Sequence, residues 1–108
     1  MMTVEDSIAS LTETLKLLSD KTRLTIVALL REREMCVCDI VDILETTQPN
    51  ISQHLKKLKA GGIVNESRRS PWIYYSLNVE DKPYLWDLLN QLPSMKDKID
   101  AHKPNSCC

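Results

Sequence analysis

A mainly α winged helix-turn-helix domain is the fold class this sequence predicts: about five helices and a two-stranded β wing, working as a homodimer. Three observations carry that reading. Apolar residues recur at spacings of three and four over most of the chain before Gly61. The period then drops to two between Ile63 and Leu77, and helical spacing returns after Pro83. The 108 residues form a single domain, 1–108. A chain of this length buries roughly two-thirds of the surface its unfolded form exposes. With no Phe, two Trp and three Tyr it is poor in large core-filling side chains, so a dimer is expected. The longest apolar run, Ile26 to Leu30, falls far short of the about 20 residues a spanning helix needs. The opening Met-Met-Thr-Val-Glu-Asp is acidic where an export signal is basic and then apolar, so the expected location is the cytoplasm, with no membrane partner.

Each element has a local reason. In the first helix, residues 5–19, Ile8, Leu11, Leu15 and Leu18 make one apolar stripe that Leu17 widens. Ser19 and Asp20 supply cap chemistry for a second helix, with Leu24, Val27, Ala28 and Leu30 on one side and charged residues Arg31–Glu34 at its end. A third helix is expected from about Cys38 to Leu44, with Asp39 in the first turn, where a carboxylate suits the helix dipole. Thr46-Thr47-Gln48-Pro49 reads as a cap followed by Pro in the first turn of a fourth helix. Ile51, Leu55 and Leu58 are its apolar positions, and Gly61-Gly62 stops it. Ile63–Leu77 reads as a hairpin turning at Arg68-Arg69-Ser70-Pro71. Asp81 and Pro83 open a last helix bearing Leu85, Leu88, Leu89 and Leu92, with Tyr84 and Trp86 beside them. Residues from about 93 to 108 read as a polar, flexible tail.

Helix, short turn, helix, then hairpin is the order in which the fourth helix is offered to a DNA major groove. The net charge of −1 argues against purely electrostatic binding, but its distribution does not. Residues 48–69 hold Lys56, Lys57, Lys59, Arg68 and Arg69 against Glu66 alone, a local +4. A basic stripe on an acidic body orients a protein as it approaches phosphate. The candidate DNA-binding residues are Gln48, Asn50, Ser52, Gln53, His54, Lys56 and Lys57 on the helix and Arg68 and Arg69 on the wing. Asn and Gln pair with adenine, while Ser and His reach base edges or phosphate. His54 equally suits an imidazole packed between helices.

The stretch Met35-Cys36-Val37-Cys38-Asp39-Ile40, followed by Thr47-Gln48-Pro49-Asn50-Ile51-Ser52-Gln53-His54-Leu55-Lys56-Lys57-Leu58 and Gly61-Gly62-Ile63-Val64, resembles the ArsR/SmtB family of bacterial metal-sensing repressors. With Leu18-Ser19-Asp20, Arg23-Leu24 and Trp72-Ile73-Tyr74-Tyr75-Ser76-Leu77 the similarity covers about residues 11–92. The resemblance implies a homodimer packed through its first and last helices that represses a resistance operon until a metal or metalloid binds. Two-fold symmetry implies a palindromic operator in double-stranded DNA, with half-sites about one DNA turn or a multiple apart.

Four cysteines stand as Cys36-Val37-Cys38 and Cys107-Cys108. Trivalent arsenic and antimony are soft and select thiolates, so Cys36 and Cys38 are the first candidate ligands, with arsenite or antimonite as inducer and no organic cofactor. The family's Cys-Val-Cys-Asp motif points the same way. Residues i and i+2 of a regular helix lie about 200° apart, so this pair clasps one ion only if the start of the third helix is reshaped or non-helical. Many arsenic-responsive members carry a third Cys where this chain has Val41. Cys107 and Cys108, from either protomer, are the further candidate ligands, beside a small cellular thiol or two-thiolate binding. Residues 80–92 hold no His and residues 1–35 no Cys, which argues against the zinc and the cadmium or lead sites of the family. His102 reads as a tail residue. Ser70-Pro71 replaces the Gly-containing wing turn usual in the family. The competing readings are a winged-helix repressor sensing oxidants through the same thiols and a cysteine oxidoreductase. The second lacks a Cys-x-x-Cys after a strand and any acid/base constellation, so no enzyme is expected.

Overall fold

In a computed structural model of the protein the described residues are 3–101. Its element order is α1 (Val4–Leu18), α2 (Lys21–Glu32), β1 (Met35–Cys36), α3 (Val37–Leu44), α4 (Gln48–Ala60), β2 (Val64–Arg69), β3 (Trp72–Leu77), α5 (Pro83–Leu89) and α6 (Lys96–Asp100). The first two helices start on side-chain caps. Thr3 and Asp6 form a reciprocal capping box at α1, and Asp20 Oδ2 accepts the Arg23 N–H at 3.0 Å at α2. The single apolar stripe expected of α2 is wider in the fold, because Ile26 to Leu30 are all buried. The helix packs against α1, α4 and β3, so little of its circumference meets water. Ile51, Leu55 and Leu58 of α4, with Ile40 of α3 and Ile63 and Val64 beyond α4, complete the core that positions the reading helix.

The turn between α3 and α4 is closed by the chain itself. Glu45 takes a left-handed conformation (φ 52°), its N–H bonds to the Asp42 carbonyl and the Thr46 N–H reaches the Val41 carbonyl at 3.2 Å. These are the two bonds of a Schellman ending. Thr47 then caps α4 by accepting the Asn50 N–H, with Pro49 in the first turn as expected. The far end of α4 closes the same way, the Gly62 N–H to Lys59 and the Ile63 N–H to Leu58, with Gly62 at φ 76°. At Gly61 a Cβ would stand 2.1 Å from Leu17 Cδ1 of α1, so a larger residue there obliges the end of the Leu17 side chain to move.

Four expectations are corrected. The wing belongs to a three-stranded antiparallel sheet of order β1-β3-β2, because Met35 and Cys36 pair with Tyr75 and Tyr74. Its turn is Ser70-Pro71 alone, since Arg68 and Arg69 still pair with Ile73 and Trp72. Asp81 does not cap α5; its carboxylate lies 3.1 Å from Lys82 Nζ, and Lys82 holds the cap position without a side-chain bond. The segment after Pro93 is not wholly a frayed tail, because it forms α6 with Ile99 buried. Long-range partners hold it there. Arg31 donates to the carbonyls of Leu89, Leu92 and Pro93, and Glu32 accepts from the Met95 N–H at 3.0 Å and from Ser94 Oγ. His102, Cys107 and Cys108 lie outside the described residues.

Candidate nucleic-acid interface and thiol site

Burial of Ile51, Leu55 and Leu58 fixes which way α4 faces, and it leaves Gln48, Ser52, Gln53, Lys56 and Lys57 exposed. Two expected members of this set point elsewhere. His54 is only 15% exposed, with Nδ1 3.4 Å from Arg23 Nη1 and 3.9 Å from Asp20 Oδ2. Arg23 also donates from Nε to the Leu17 carbonyl at 2.7 Å, so this cluster ties α4 to the α1–α2 corner. Asn50 is half-buried and donates from Nδ2 to Thr46 Oγ1 at 3.1 Å, bracing the turn before α4.

The basic residues divide into two groups. Lys56 and Lys57 make no ion pair among the described residues and extend the exposed α4 face. The others have counter-charges, of which sequence reasoning named Glu66 and missed Glu34. Lys59 Nζ and Arg68 Nε stand 3.4 and 3.6 Å from Glu66 Oε1, and Arg69 meets Glu34 through both ends of its guanidinium. The buried Tyr75 hydroxyl donates to Glu66 Oε2 at 2.9 Å. That bond, helped by Lys59 and Arg68, holds Glu66 below the usual carboxylate range, while burial and the same contact push the Tyr75 phenol up to about 12. A charge count along the chain finds Glu66; Glu34 lies 35 residues from its arginine and gives no local signal.

Cys36 and Cys38 occupy different environments. Cys36 is buried in β1, paired with Tyr74, and serves as the α3 N-cap in an extended conformation (φ −84°, ψ 165°). Cys38 is inside the first turn of α3 and half-buried. The pair therefore straddles a strand–helix junction instead of sharing a regular helix, which is the non-helical alternative the spacing left open. Cys36 Sγ donates to Asp39 Oδ2 at 3.3 Å. Cys38 lines a cavity of about 140 Å³ with Val37, Gln48, Pro71, Trp72 and Ile73. One thiol thus borders both the first residue of the reading helix and the wing. Among the described residues no group of three His, Cys, Asp or Glu is arranged to hold a metal ion. No helix among them is long and apolar enough to cross a membrane.

The family profile for "Bacterial regulatory protein, arsR family" matches residues 20–66, from the α2 cap into β2. An HTH-type transcriptional regulator of Methanocaldococcus jannaschii is 45% identical over 71 residues, which cover 65% of this chain and 79% of that protein. The chain belongs to the ArsR family. This ArsR-family chain is also similar to the arsenic resistance transcriptional regulator ArsR1 of Pseudomonas putida, 44% identical over 66 residues and 60% of the chain. It spans about half of that relative's length, 52%. Both relatives are transcriptional regulators. Among solved structures, the homodimeric winged helix-turn-helix DNA-binding domain Mb0332 of Mycobacterium bovis superposes with a TM-score of 0.69 at 26% identity, covering 91% of this chain and 89% of that one.

Proposed function

We propose that this protein is a cytoplasmic, homodimeric repressor of a metalloid-resistance operon. It binds a palindromic operator in double-stranded DNA through α4 and the wing, and it lets go when arsenite or antimonite binds Cys36 and Cys38. The observation that carries the reading is the cavity shared by Cys38, Gln48 and Trp72, which puts a candidate sensor thiol against both DNA-facing elements. Soft trivalent centres select thiolates, and two thiols flanking one junction suit that chemistry. Each bond from a thiol sulfur to the trivalent centre replaces a hydroxyl of arsenite or antimonite, the thiol proton leaving with that hydroxide as water, so ligation of Cys36 ends its hydrogen bond to Asp39. An ion held by both sulfurs ties together the strand and helix sides of the β1–α3 junction, and α3 is the helix that supports α4 through their closed turn. A third sulfur donor, where the ion takes one, comes from Cys107, Cys108 or a small cellular thiol.

On the DNA side, Gln48, Ser52 and Gln53 read base edges, Lys56, Lys57 and Arg68 meet phosphate, and His54 and Asn50 position the helix. The exposed stripe of α1, supported by the homodimeric relative of known structure, supplies the dimer contact. Inducer and DNA compete only through differential affinity for two shapes. A tenfold release corresponds to about 1.4 kcal/mol of coupling. Titration of a candidate operator with and without arsenite tests this. Cys36→Ser and Cys38→Ser are expected to bind DNA as the native protein does and to lose release. Release of either variant at the native arsenite concentration overturns the reading. Peroxide in place of arsenite separates it from an oxidant sensor built on the same thiols.

A further inference from the structure

The second wing arginine is already engaged within its own chain. Arg69 Nη1 and Nη2 donate to Glu34 Oε1 and Oε2 at 2.6 and 2.9 Å, and the guanidinium lies over the Tyr74 ring, 4.7 Å from its centroid. Both charged side chains stay open to water, 51% and 42% exposed. The sheet sets this up. Glu34 immediately precedes edge strand β1, Arg69 ends the opposite edge strand β2, and Tyr74 lies on β3 between them. A planar fork on a carboxylate uses the same paired donors that a DNA phosphate takes.

We propose that Glu34 is a built-in competitor for the DNA backbone: it occupies the phosphate-binding face of Arg69 off DNA and is displaced when the wing docks, so it sets the protein's affinity for DNA. The inference rests on the reading of the β2–β3 hairpin as a DNA-contacting wing. Exposed ion pairs contribute little to folding, and the backbone ladder holds these strands in register without this one. A phosphate contact, by contrast, gains from counterion release. The Arg69 bond keeps Glu34 below the usual carboxylate range, so the competitor stays charged throughout the neutral range.

The phosphate contribution is independent of sequence, so the test uses a mixed-sequence DNA duplex long enough for both protomers. Binding by full-length native protein, Glu34→Gln, Arg69→Gln and the double variant is measured by fluorescence anisotropy over a series of salt concentrations, with thermal melts alongside. Glu34→Gln is expected to bind about three- to tenfold tighter, with the native salt slope because Arg69 meets phosphate in both proteins, and with an unchanged melting temperature. Arg69→Gln is expected to bind more weakly, and most of the Glu34→Gln gain disappears in its background. A Glu34→Gln protein that binds no tighter than native overturns the competitor role while leaving the repressor reading intact. So does a gain kept in full without Arg69, which makes Glu34 a plain repelling charge. A native protein that binds no duplex removes the DNA-binding reading itself, and the competitor with it.

Discussion

Helices α1 and α2 carry similar apolar stripes and meet different fates. In α2 every residue from Ile26 to Leu30 is buried, whereas α1 buries only Thr14 and Leu18. Its Ile8 and Leu15 remain 61% and 49% exposed, with Val4 and Leu11 on the same stripe. Helix α5 repeats the division on a smaller scale, since Leu85 and Leu89 face the core while Tyr84, Trp86 and Leu88 face out. An apolar stripe records that a helix will be covered, but not by which chain. A contiguous exposed apolar surface marks association. The α2 stripe is therefore read as folding energy and the α1 stripe as assembly energy.

Breaking the first half of the comparison should have the largest effect. Leu29, wholly buried in α2, becomes a cavity in Leu29→Ala, with an expected loss of about 2–5 kcal/mol in urea denaturation. A loss below about 1 kcal/mol, the range of surface changes, would contradict the envelopment of α2. The second half breaks with Leu11→Asp and Leu15→Asp combined. This variant should keep its helical circular dichroism, sediment as a monomer and lose at least about a hundredfold in operator affinity, because both half-sites must be held by one linked pair. A dimer that survives both charges places the assembly surface elsewhere.

The sequence was most legible where structure is local. Asp20, Thr47 and Pro49 announce helix starts through bonds made within one turn, Gly61-Gly62 announces an end, and burial of Ile51, Leu55 and Leu58 turns the predicted polar face of α4 outward. What stayed hidden depends on partners distant in the chain. Strand β1 exists because Met35 and Cys36 meet Tyr75 and Tyr74, and that pairing decides for Cys36 the non-helical alternative that its spacing had left open. Helix α6 stands where polar composition implied fraying because Glu32, 63 residues earlier, accepts the Met95 N–H. His54 was ambiguous for the same reason: only the fold shows Arg23 and Asp20 beside it. The arginine pair of the wing looked like two equal phosphate contacts until Glu34 was placed against one of them.

The smallest effect separates the two helices by their caps. At α1 the acceptor for the Asp6 N–H is the Thr3 hydroxyl, which does not titrate in the acid range; at α2 it is the Asp20 carboxylate. The Arg23 N–H holds Asp20 below its ordinary value, with the Arg23 and His54 charges assisting and burial opposing. A carboxylate depressed in the folded state stabilises at pH above its unfolded pKa, and that contribution is lost as pH falls through the folded one. Asp20→Asn keeps a capping acceptor but removes the charge. Since the side chain is more than a third exposed, the expected cost near neutrality is small, well under about 1 kcal/mol. The variant's stability should then decline less steeply than the native protein's as pH drops below the ordinary carboxylate range. Urea midpoints followed down the acid limb measure it, and parallel decline in the two proteins would show that the Asp20 charge adds nothing to the acid sensitivity of the start of α2.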